Sequence, residues 1–478
     1  MWVDKILLRL KITPTDKILL DDSLGLFRMN EVRDYLLTKG FKVFDVSSLT
    51  ELSNISRNNQ RGLFFFADSN IPNSIKERFH YIQITKNNLS YDIDPILIEN
   101  INNTELVLLL SQVYQTNFTQ SISLENYQEI LHQAKKDNYI IRREKLIQTF
   151  ENYFKTDFTY DALLEAGKLL GKIIHEDYLY DIENYLIPDS IVEKTEEYIV
   201  SEKYNNIFYE SQYKPKTVDK ILPYIKTLKI KKLALICFDC MGIPEWLILR
   251  EYLKGYIMEE HSALALIPTI TSISRKAIFS GNLNIYKKTG SDEKLFLDNF
   301  EDKSSVAFFA NKDEITQNNI LGYNTICKVF NLFDDLAHGV VIPKGCSSKR
   351  LYFKQLDDYI KGSNILETIN ILVNNDFNVF LCSDHGSTIA VGNGLKFEKW
   401  VKEISGKRAF LTSNLQHVEQ NNVKIYQTPA NKIYAVIAEN KAMFDHNNSI
   451  GIVHGGISLE ELVVPFIDIK GRKIDDRI

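Results

Sequence analysis

Blocks of apolar and polar positions alternate along the first quarter of the chain and predict a small α/β domain. Short apolar runs typical of buried strands are separated by amphipathic stretches with helical spacing, and these runs lie at residues 17–22, 41–46, 62–68 and 80–85. Strands that alternate with helices in this way form a parallel sheet with helical crossovers. We therefore predict a doubly wound, Rossmann-like or receiver-like α/β domain at residues 1–118. It contains neither a glycine-rich dinucleotide motif nor a P-loop, so we expect no nucleotide site in it.

The pattern changes in the next stretch, residues 119–215, where helical spacing of apolar positions dominates. The clearest helical segments lie at residues 124–136, 160–176 and 190–200. We predict a helical connector or bundle here, and the pattern does not indicate its function.

The α/β rhythm returns in the last and largest part of the chain, residues 216–478. Seven apolar runs separated by helical stretches predict strands at residues 233–238, 263–267, 305–310, 326–332, 378–382, 433–439 and 461–468. The predicted fold class is therefore α/β, with a central sheet flanked by helices in this domain.

Composition limits the classes of protein to which the chain can belong. With 44% hydrophobic and 25% charged residues it has enough apolar material for two or three folded domains, and the first residues lack the features of a signal peptide. We expect a cytoplasmic protein without a membrane partner. Five cysteines argue against a disulfide framework, and the net charge of -5 provides no general attraction to nucleic acid.

A hydroxyl-rich turn within residues 263–281 is the first candidate for chemistry. A predicted strand at residues 264–267 is followed by a predicted helix at residues 272–280, so Thr271 falls beside a helix N-terminus. Unpaired backbone N–H groups at this position favour an anion. Helix capping by Thr271 or Ser272 would also explain the hydroxyl groups.

Metal-binding side chains occupy four further strand ends in the same domain. They are Asp239, then Asp334 with His338, then Asp384 with His385, and finally His454. Because strand ends meet at one crevice of an open α/β sheet, these side chains could converge.

The spacing within each pair is compatible with a shared site. Asp334 and His338 are four residues apart and would project from one face of a helix. Neighbouring residues of a strand point to opposite faces, so Asp384 and His385 can share a site only where the strand ends, and Gly386 would permit that turn.

Each of these residues also has an ordinary structural interpretation. Asp239 could cap a helix, Asp334 could stabilise a turn, and His338 could be a surface histidine. Together, however, three of the nine histidines and three aspartates at strand ends of one domain provide the mixed O and N ligands of a two-metal site. Glu461 has a different predicted role, because it forms a capping-box pattern with Ser458.

In this order the motifs resemble those of the alkaline phosphatase superfamily. The resemblance covers residues 231–466 and consists of Asp239, Thr271, the Asp334–His338 pair, the Asp384-His385-Gly386 triplet and His454. The segments PTITSISR and HGGISLEELVVP are most similar to the PglZ family, which is found in BREX-type phage defence and as the effector domain of some bacterial response regulators. The fold implied for residues 216–478 is an alkaline-phosphatase-like sheet flanked by helices.

The resemblance also implies a set of metal ligands. One ion would be held by Asp334, His338 and His454, and the other by Asp239, Asp384, His385 and the hydroxyl of Thr271. Asp335 competes with Asp334, but only Asp334 has the family's spacing to the histidine. The mixed ligands favour two divalent ions, Zn²⁺ or alternatively Mn²⁺.

The same resemblance assigns the nucleophile to Thr271 rather than to Thr269 or Ser272. Metal coordination would lower the pKa of its hydroxyl, so that Thr271 attacks phosphorus and water then hydrolyses the phosphothreonine. Related phosphodiesterases carry an asparagine or similar group for the phosphate oxygens, and Arg275, one turn beyond Thr271, is our substitute as substrate-binding residue.

The activity implied is that of a metal-dependent phosphodiesterase or nuclease that acts on nucleic acid or nucleotides in phage defence or signalling. The alternative is a non-catalytic PglZ scaffold subunit that positions other defence-system proteins, which would be partners in either case. An intact set of metal-binding residues favours the enzyme, because a scaffold has no physical need for it.

Overall fold

A computed structural model describes the chain in segments that together include every candidate site residue. The described residues are 2–22, 24–66, 70–85, 93–113, 121–155, 158–210, 213–286, 290–343, 348–397, 404–416, 418, 422–430 and 432–472. Residues 67 and 68, which the pattern assigns to the end of the third strand, lie outside this set.

Residue contacts divide the chain into two compact units, Met1–Arg142 and Arg143–Ile478. The boundary lies within a long helix, Tyr127–Asn152. The predicted helical connector at residues 119–215 is not a separate unit in this division. Its later helices belong to the second unit, because apolar residues such as Leu163 and Ile199 join the same buried cluster as the central strands.

The first unit is built on a parallel sheet with the strand order β2-β3-β1-β4. Its strands are β1 (Lys17–Asp21), β2 (Val43–Val46), β3 (Gly62–Phe66) and β4 (His80–Gln83). Its helices are α1 (Trp2–Arg9), α2 (Asn30–Thr38), α3 (Leu49–Arg57), α4 (Asn73–Lys76), α5 (Pro95–Asn100), α6 (Asn103–Val113) and the first part of α7 (Tyr127–Asn152).

Both faces of this sheet are covered, as expected for a doubly wound arrangement. Successive side chains of a strand point to opposite faces. Accordingly, Ile18 and Leu20 pack in one apolar cluster with Leu63, whereas Leu19 packs in another with Phe64.

A six-stranded sheet with the order β6-β17-β9-β5-β8-β7 forms the centre of the second unit. Its strands are β5 (Leu233–Phe238), β6 (Tyr256–Leu264), β7 (Val306–Phe309), β8 (Thr325–Phe330), β9 (Asn378–Ser383) and β17 (Val463–Arg472). Strands β5, β7, β8 and β9 are parallel, whereas β17 is antiparallel to both of its neighbours. The predicted central sheet flanked by helices is confirmed.

Helices surround this sheet, and short 3₁₀ segments connect some of them. The helices are the rest of α7, α8 (Tyr160–Leu179), α9 (Asp189–Val200), α10 (Glu202–Asn205), α11 (Ile221–Thr227), α12 (Ile243–Tyr252), α13 (Thr271–Ser280), α14 (Asp292–Leu297), α15 (Leu332–Gly339), α16 (Arg350–Gly362), α17 (Ile365–Asn374) and α18 (Leu459–Leu462). The 3₁₀ segments are Asn206–Phe208, Val218–Lys220, Leu283–Tyr286 and Lys303–Ser305.

Two smaller sheets complete the second unit. One has the order β15-β10-β16 and the other the order β11-β12-β14-β13. Their strands are β10 (Thr388–Gly392), β11 (Ile404–Ser405), β12 (Ala409–Thr412), β13 (Val423–Gln427), β14 (Tyr434–Ala438), β15 (Ala442–Met443) and β16 (Ile450–Val453). The run at residues 433–439 therefore forms a strand of a small antiparallel sheet and not of the central sheet.

The strand predicted at residues 263–267 differs from the strand that forms. Strand β6 runs from Tyr256 to Leu264, because it pairs with β17 along this whole length. It lies at the edge of the sheet. An edge strand tolerates charged residues such as Glu259 and Glu260, and these interrupt the apolar run by which a buried strand is recognised. The buried apolar residues at 265–267 belong to the connection that follows.

Candidate active site

The ends of three central strands lie at the same level and deliver side chains to one edge of the sheet. In the register of the parallel strands, Phe238 at the end of β5 pairs with Phe330 of β8 and with Ser383 of β9. The next residues of β5 and β9 are Asp239 and Asp384. The parallel pairing thus brings together residues that are far apart in the sequence.

Asp239, Asp384 and His385 form the first group that could hold a metal ion. One ligand atom from each lies within 4.8 Å of the others, and all three residues are buried. His385 Nε2 lies 3.6 Å from Asp239 Oδ1 and 3.8 Å from Asp384 Oδ1.

Asp334, His338 and His454 form a second such group by the same distance criterion. Asp334 Oδ1 lies 3.3 Å from His338 Nε2 and 3.5 Å from His454 Nε2. Asp335, the competing candidate, is exposed and is not part of the group. The helical spacing of Asp334 and His338 on α15 accounts for their proximity.

The two groups are neighbours, because the imidazole rings of His385 and His454 stack on each other. Their centroids are 4.1 Å apart and their planes differ by 15°. The structure therefore brings together all six carboxylate and imidazole residues that the sequence suggested as ligands.

Thr271 lies beside the first group at the beginning of α13. The residue that caps this helix is Ile270, and the Thr271 side chain makes no capping hydrogen bond. Instead, Thr271 Oγ1 lies 2.9 Å from His385 Nε2 and 3.2 Å from Asp239 Oδ1. Helix capping, the ordinary explanation for a threonine at this position, does not account for Thr271.

Thr269, another candidate hydroxyl, has a supporting role that the sequence did not indicate. Its Oγ1 donates to the carbonyl of Gly456 (2.8 Å) and accepts from the N–H of Gly455 (3.1 Å), while its carbonyl lies 3.1 Å from His454 Nδ1. Thr269 therefore holds the turn that follows His454. The resemblance preferred Thr271 over Thr269 as the nucleophile but gave no role to Thr269.

Arg275 lies within the site, but its guanidinium group contacts carboxylates. Its Nη1 donates to Asp239 Oδ2 (2.8 Å) and to Asn331 Oδ1 (3.2 Å), and its Nε lies 3.0 Å from Asp292 Oδ2. Burial disfavours the charged form, but Asp384, Asp239 and Asp292 outweigh burial and raise the pKa of Arg275. In this structure Arg275 orients Asp239, and contact with a substrate stays a prediction.

Gly386 is required because another chain segment passes close to it, and not because of the turn that we predicted. Its backbone does not have a positive φ, but a Cβ atom at this position would lie 2.1 Å from the carbonyl oxygen of Glu460 and 3.1 Å from Gly242 Cα. A close approach of two chain segments, which the sequence cannot show, thus excludes any side chain here.

Two of the histidines, His385 and His454, are oriented so that their Nε2 atoms face the site. His385 Nδ1 lies 3.1 Å from the carbonyl oxygen of Gly386, and His454 Nδ1 lies 3.1 Å from that of Thr269. A carbonyl accepts only, so each neutral ring carries its proton on Nδ1 and presents a lone pair at Nε2. This is the tautomer that an Nε2 metal ligand needs.

Charge also favours cation binding. Burial, together with the charge of Asp239, raises the pKa of Asp384 well above its usual range. Burial and the neighbouring His385 lower the pKa of His454 to about 4, and burial lowers the pKa of His385. Among the described residues, the buried atoms Asp334 Oδ1 and Asp384 Oδ2 have no hydrogen-bond donor. Unsatisfied carboxylate oxygens beside neutral imidazoles fit divalent metal ions.

We expect metal affinity to fall as the pH decreases. A carboxyl group must lose its proton to bind a cation, and burial raises the pKa of Asp384 well above its usual range, so protons compete with the metal ion at this residue. Titration calorimetry with Zn²⁺ at a series of pH values should show this loss of affinity. The Asp384→Asn variant has no carboxyl group to titrate here and should show a weaker dependence on pH, and a wild-type affinity that does not change with pH would contradict this assignment.

The family comparison agrees with this geometry. Residues 218–337 and 347–469, just over half of the chain, match the family described as the BREX system PglZ alkaline phosphatase-like domain. The chain belongs to the PglZ family. Thr271, the first metal group, Asp334 and His454 lie within the matched PglZ residues, and His338 directly follows the first matched segment. The PglZ domain therefore has a phosphoesterase-like fold, in a superfamily that generally uses divalent metal ions.

Solved structures of ectonucleotide pyrophosphatase/phosphodiesterase 5 are distantly similar to the PglZ chain. The murine protein is 13% identical with a TM-score of 0.36, covering 49% of this chain and 87% of its own. Its inactive variant in complex with AMP is 12% identical with a TM-score of 0.36, covering 50% and 87%. The human protein is 14% identical with a TM-score of 0.34, covering 49% and 87%. No curated protein matches the chain. Among the described helices, none has the length and apolar character needed to cross a membrane.

Proposed function

We propose that this PglZ chain is a metal-dependent phosphodiesterase that uses Thr271 as its nucleophile. The observation that carries the proposal is the position of the Thr271 hydroxyl. It does not cap its helix and lies within 3.2 Å of both Asp239 and His385, beside two groups of metal-binding side chains. A hydroxyl group placed in this way can be activated for attack on phosphorus.

Seven side chains would hold two divalent ions, for which Zn²⁺ is the first candidate and Mn²⁺ the second. Asp239, Asp384, His385 and Thr271 would surround one ion, and Asp334, His338 and His454 the other. When bound, such ions would supply positive charge that stabilises the oxygens of the phosphoryl group and lowers the pKa of the nearby hydroxyl.

The residues of the chain perform the remaining steps. Thr271 Oγ1 forms a bond to phosphorus as the bond from phosphorus to the leaving oxygen breaks. The hydroxyl proton passes to the carboxylate of Asp239 and on to solvent, and the leaving oxygen takes a proton from solvent and departs as an alcohol. Backbone N–H groups at the start of α13 face the developing negative charge. Water then attacks phosphorus as the bond to Oγ1 breaks. Oγ1 regains a proton, the attacking water loses one, and a phosphate monoester leaves the restored Thr271.

We further propose that the substrate is a nucleic acid or a nucleotide and that the reaction serves phage defence or signalling, with other defence-system proteins as partners. The description of the matched family as a BREX system domain supports this context.

Metal analysis together with turnover of bis-p-nitrophenyl phosphate tests the proposal. We expect two divalent ions per chain and turnover that is lost with a chelator and restored by Zn²⁺ or Mn²⁺. A folded protein that binds no metal and hydrolyses no diester under these conditions would refute the enzyme and favour the scaffold alternative.

We expect diesters to be preferred over monoesters. A dianionic monoester needs additional positive charge around its three terminal oxygens, and the cationic Arg275 already pairs with Asp239 and Asp292. The value of kcat/KM should be at least about tenfold higher for bis-p-nitrophenyl phosphate than for p-nitrophenyl phosphate. The two substrates release the same chromophore and serve as each other's control; a preference for the monoester would contradict this prediction.

A further inference from the structure

A buried ion pair between Arg408 and Glu461 lies directly behind the turn that follows His454. Both residues have 0% exposure, and Arg408 Nη1 contacts Glu461 Oε2. Neither residue is a candidate metal ligand. Burial of two charges costs several kcal/mol in desolvation, so such a pair is weak evidence for a contribution to stability alone.

Arg408 is fixed by contacts to several segments. Its Nε donates to the carbonyl of Ala442 at 3.0 Å, and its Nη2 donates to the carbonyl of Asn440. The guanidinium also packs against the backbone of Gly456. A Cβ atom added to Gly456 would lie only 2.6 Å from Arg408 Cζ. Arg408 immediately precedes β12, and it therefore links the small four-stranded sheet to the turn at Gly456.

Glu461 continues the connection from Arg408 to the same turn. Its Oε1 accepts from the N–H of Gly456 (2.8 Å), and its Oε2 accepts from the N–H (3.1 Å) and the hydroxyl (2.7 Å) of Ser458. The predicted capping box of Ser458 and Glu461 is confirmed. A capping box does not require a buried arginine or a bond to Gly456, so these contacts need another explanation.

The turn that this pair holds determines where the His454 ring lies. Gly455 has φ +115°, a conformation that side chains rarely adopt, and its N–H and the carbonyl of Gly456 are both bonded to the Thr269 hydroxyl. The carbonyl of Thr269 in turn meets His454 Nδ1. The imidazole is therefore positioned by Thr269 on one side and, through the glycines, by Glu461 on the other.

Helix α18, which carries Glu461, also contacts the turn beside His385. The N–H of Gly386, the residue after His385, donates to the backbone carbonyl of Glu461 at 2.9 Å. Thus the first turn of α18 contacts the turns that carry both stacked histidines.

We infer that Arg408 and Glu461 are positioning residues that set the orientation of His454 for metal binding. This inference rests on the proposed function, because it takes Asp334, His338 and His454 as one metal site. It adds that the small β-sheet around Arg408 controls affinity at that site without contributing a ligand.

The Arg408→Lys variant tests the inference by titration calorimetry with Zn²⁺. Lysine keeps the charge but cannot reach several acceptors at once. We expect the affinity of one of two Zn²⁺ sites to fall by about 10- to 100-fold, the range for residues that orient metal ligands. The His454→Ala variant identifies which step of the titration belongs to this site.

Arg143→Lys is the matched control. Arg143 also pairs with a buried carboxylate, that of Asp177, through N···O contacts of 2.7 and 2.9 Å, and it lies on α7, which carries none of the candidate metal ligands. This variant should leave both Zn²⁺ affinities within about twofold of the wild type while showing a comparable loss of thermal stability.

A second variant removes both charges, so that no unpaired charge remains buried. Arg408→Met combined with Glu461→Gln should bind one Zn²⁺ as weakly as Arg408→Lys does. Unchanged affinity at both sites in either variant, or loss of folding in both while Arg143→Lys folds, would overturn the inference and leave the pair a structural role. A wild-type protein that binds neither Zn²⁺ nor Mn²⁺ would instead refute the proposed function itself.

Discussion

Replacement of Thr271 by alanine should lower kcat/KM for a diester by at least about 1,000-fold, because a covalent route cannot proceed without its nucleophile. Metal content and thermal stability should remain close to those of the wild type. The six carboxylate and imidazole ligands are intact in this variant, and the Thr271 hydroxyl makes no capping bond whose loss would weaken α13.

Ser272→Ala is the matched control for this variant, since it deletes a hydroxyl group from the next residue of the same helix. We expect its kcat/KM to stay within a few-fold of the wild type, which is the range for side chains outside the reacting group. Wild-type turnover by Thr271→Ala, measured with bis-p-nitrophenyl phosphate at saturating Zn²⁺, would refute the proposed mechanism.

Replacement of Asp334 by alanine should lower both metal content and rate. Asp334 supplies the carboxylate of its group, and without it only the imidazole ligands of His338 and His454 remain. Two like-charged ions bound close together need anionic ligands around both, so affinity at this site should fall by at least about 100-fold. Elemental analysis after desalting should then find close to one ion per chain, and His454→Ala should behave similarly.

The neighbouring Asp335→Ala provides the control for charge. It removes the same carboxylate from the same helix, but Asp335 is exposed and lies outside the metal-binding group. Its metal content and rate should match those of the wild type. Two ions per chain in both Asp334→Ala and His454→Ala would show that the ligand assignment is wrong.

The Thr271→Ala and Asp334→Ala variants together distinguish loss of the chemical step from loss of metal binding. Thr271→Ala should retain the ions and lose turnover, whereas Asp334→Ala should lose an ion and turnover together. Their difference depends on a geometric fact: Thr271 lies at the edge of the first group, and Asp334 bridges the two histidines of the second. If both variants lost metal equally, Thr271 would be acting mainly as a ligand.

Much of the fold followed from local patterns in the sequence. Strands in the centre of the sheet such as β5 and β9, whose apolar residues are all buried, are visible as continuous apolar runs. A helix that ends at Gly281 carries its own signal, because glycine readily adopts the left-handed φ of 64° found there. The edge strand β6 was located incorrectly, because its exposed positions carry charges and its pairing with β17 involves residues about 200 positions away.

The sequence by itself determined which side chains could take part in chemistry. The order of Asp239, Thr271, the Asp334–His338 pair, the Asp384–His385 pair and His454 could be read directly from it, because each stands at the end of a predicted strand or on a predicted helix. Ligand type and local spacing depend only on neighbouring residues, so they are visible without a structure.

Only the tertiary structure decided how these side chains are used. It placed Asp334, which the resemblance already preferred over Asp335, beside His454, directed Arg275 toward Asp239, and gave Thr269 a supporting role. It also placed the Arg408–Glu461 pair behind His454, although no motif includes Arg408. These relations depend on strand register, on the close approach of backbones at glycines, and on burial that shifts pKa values. All three arise between segments distant in sequence, and local patterns contain no information about them.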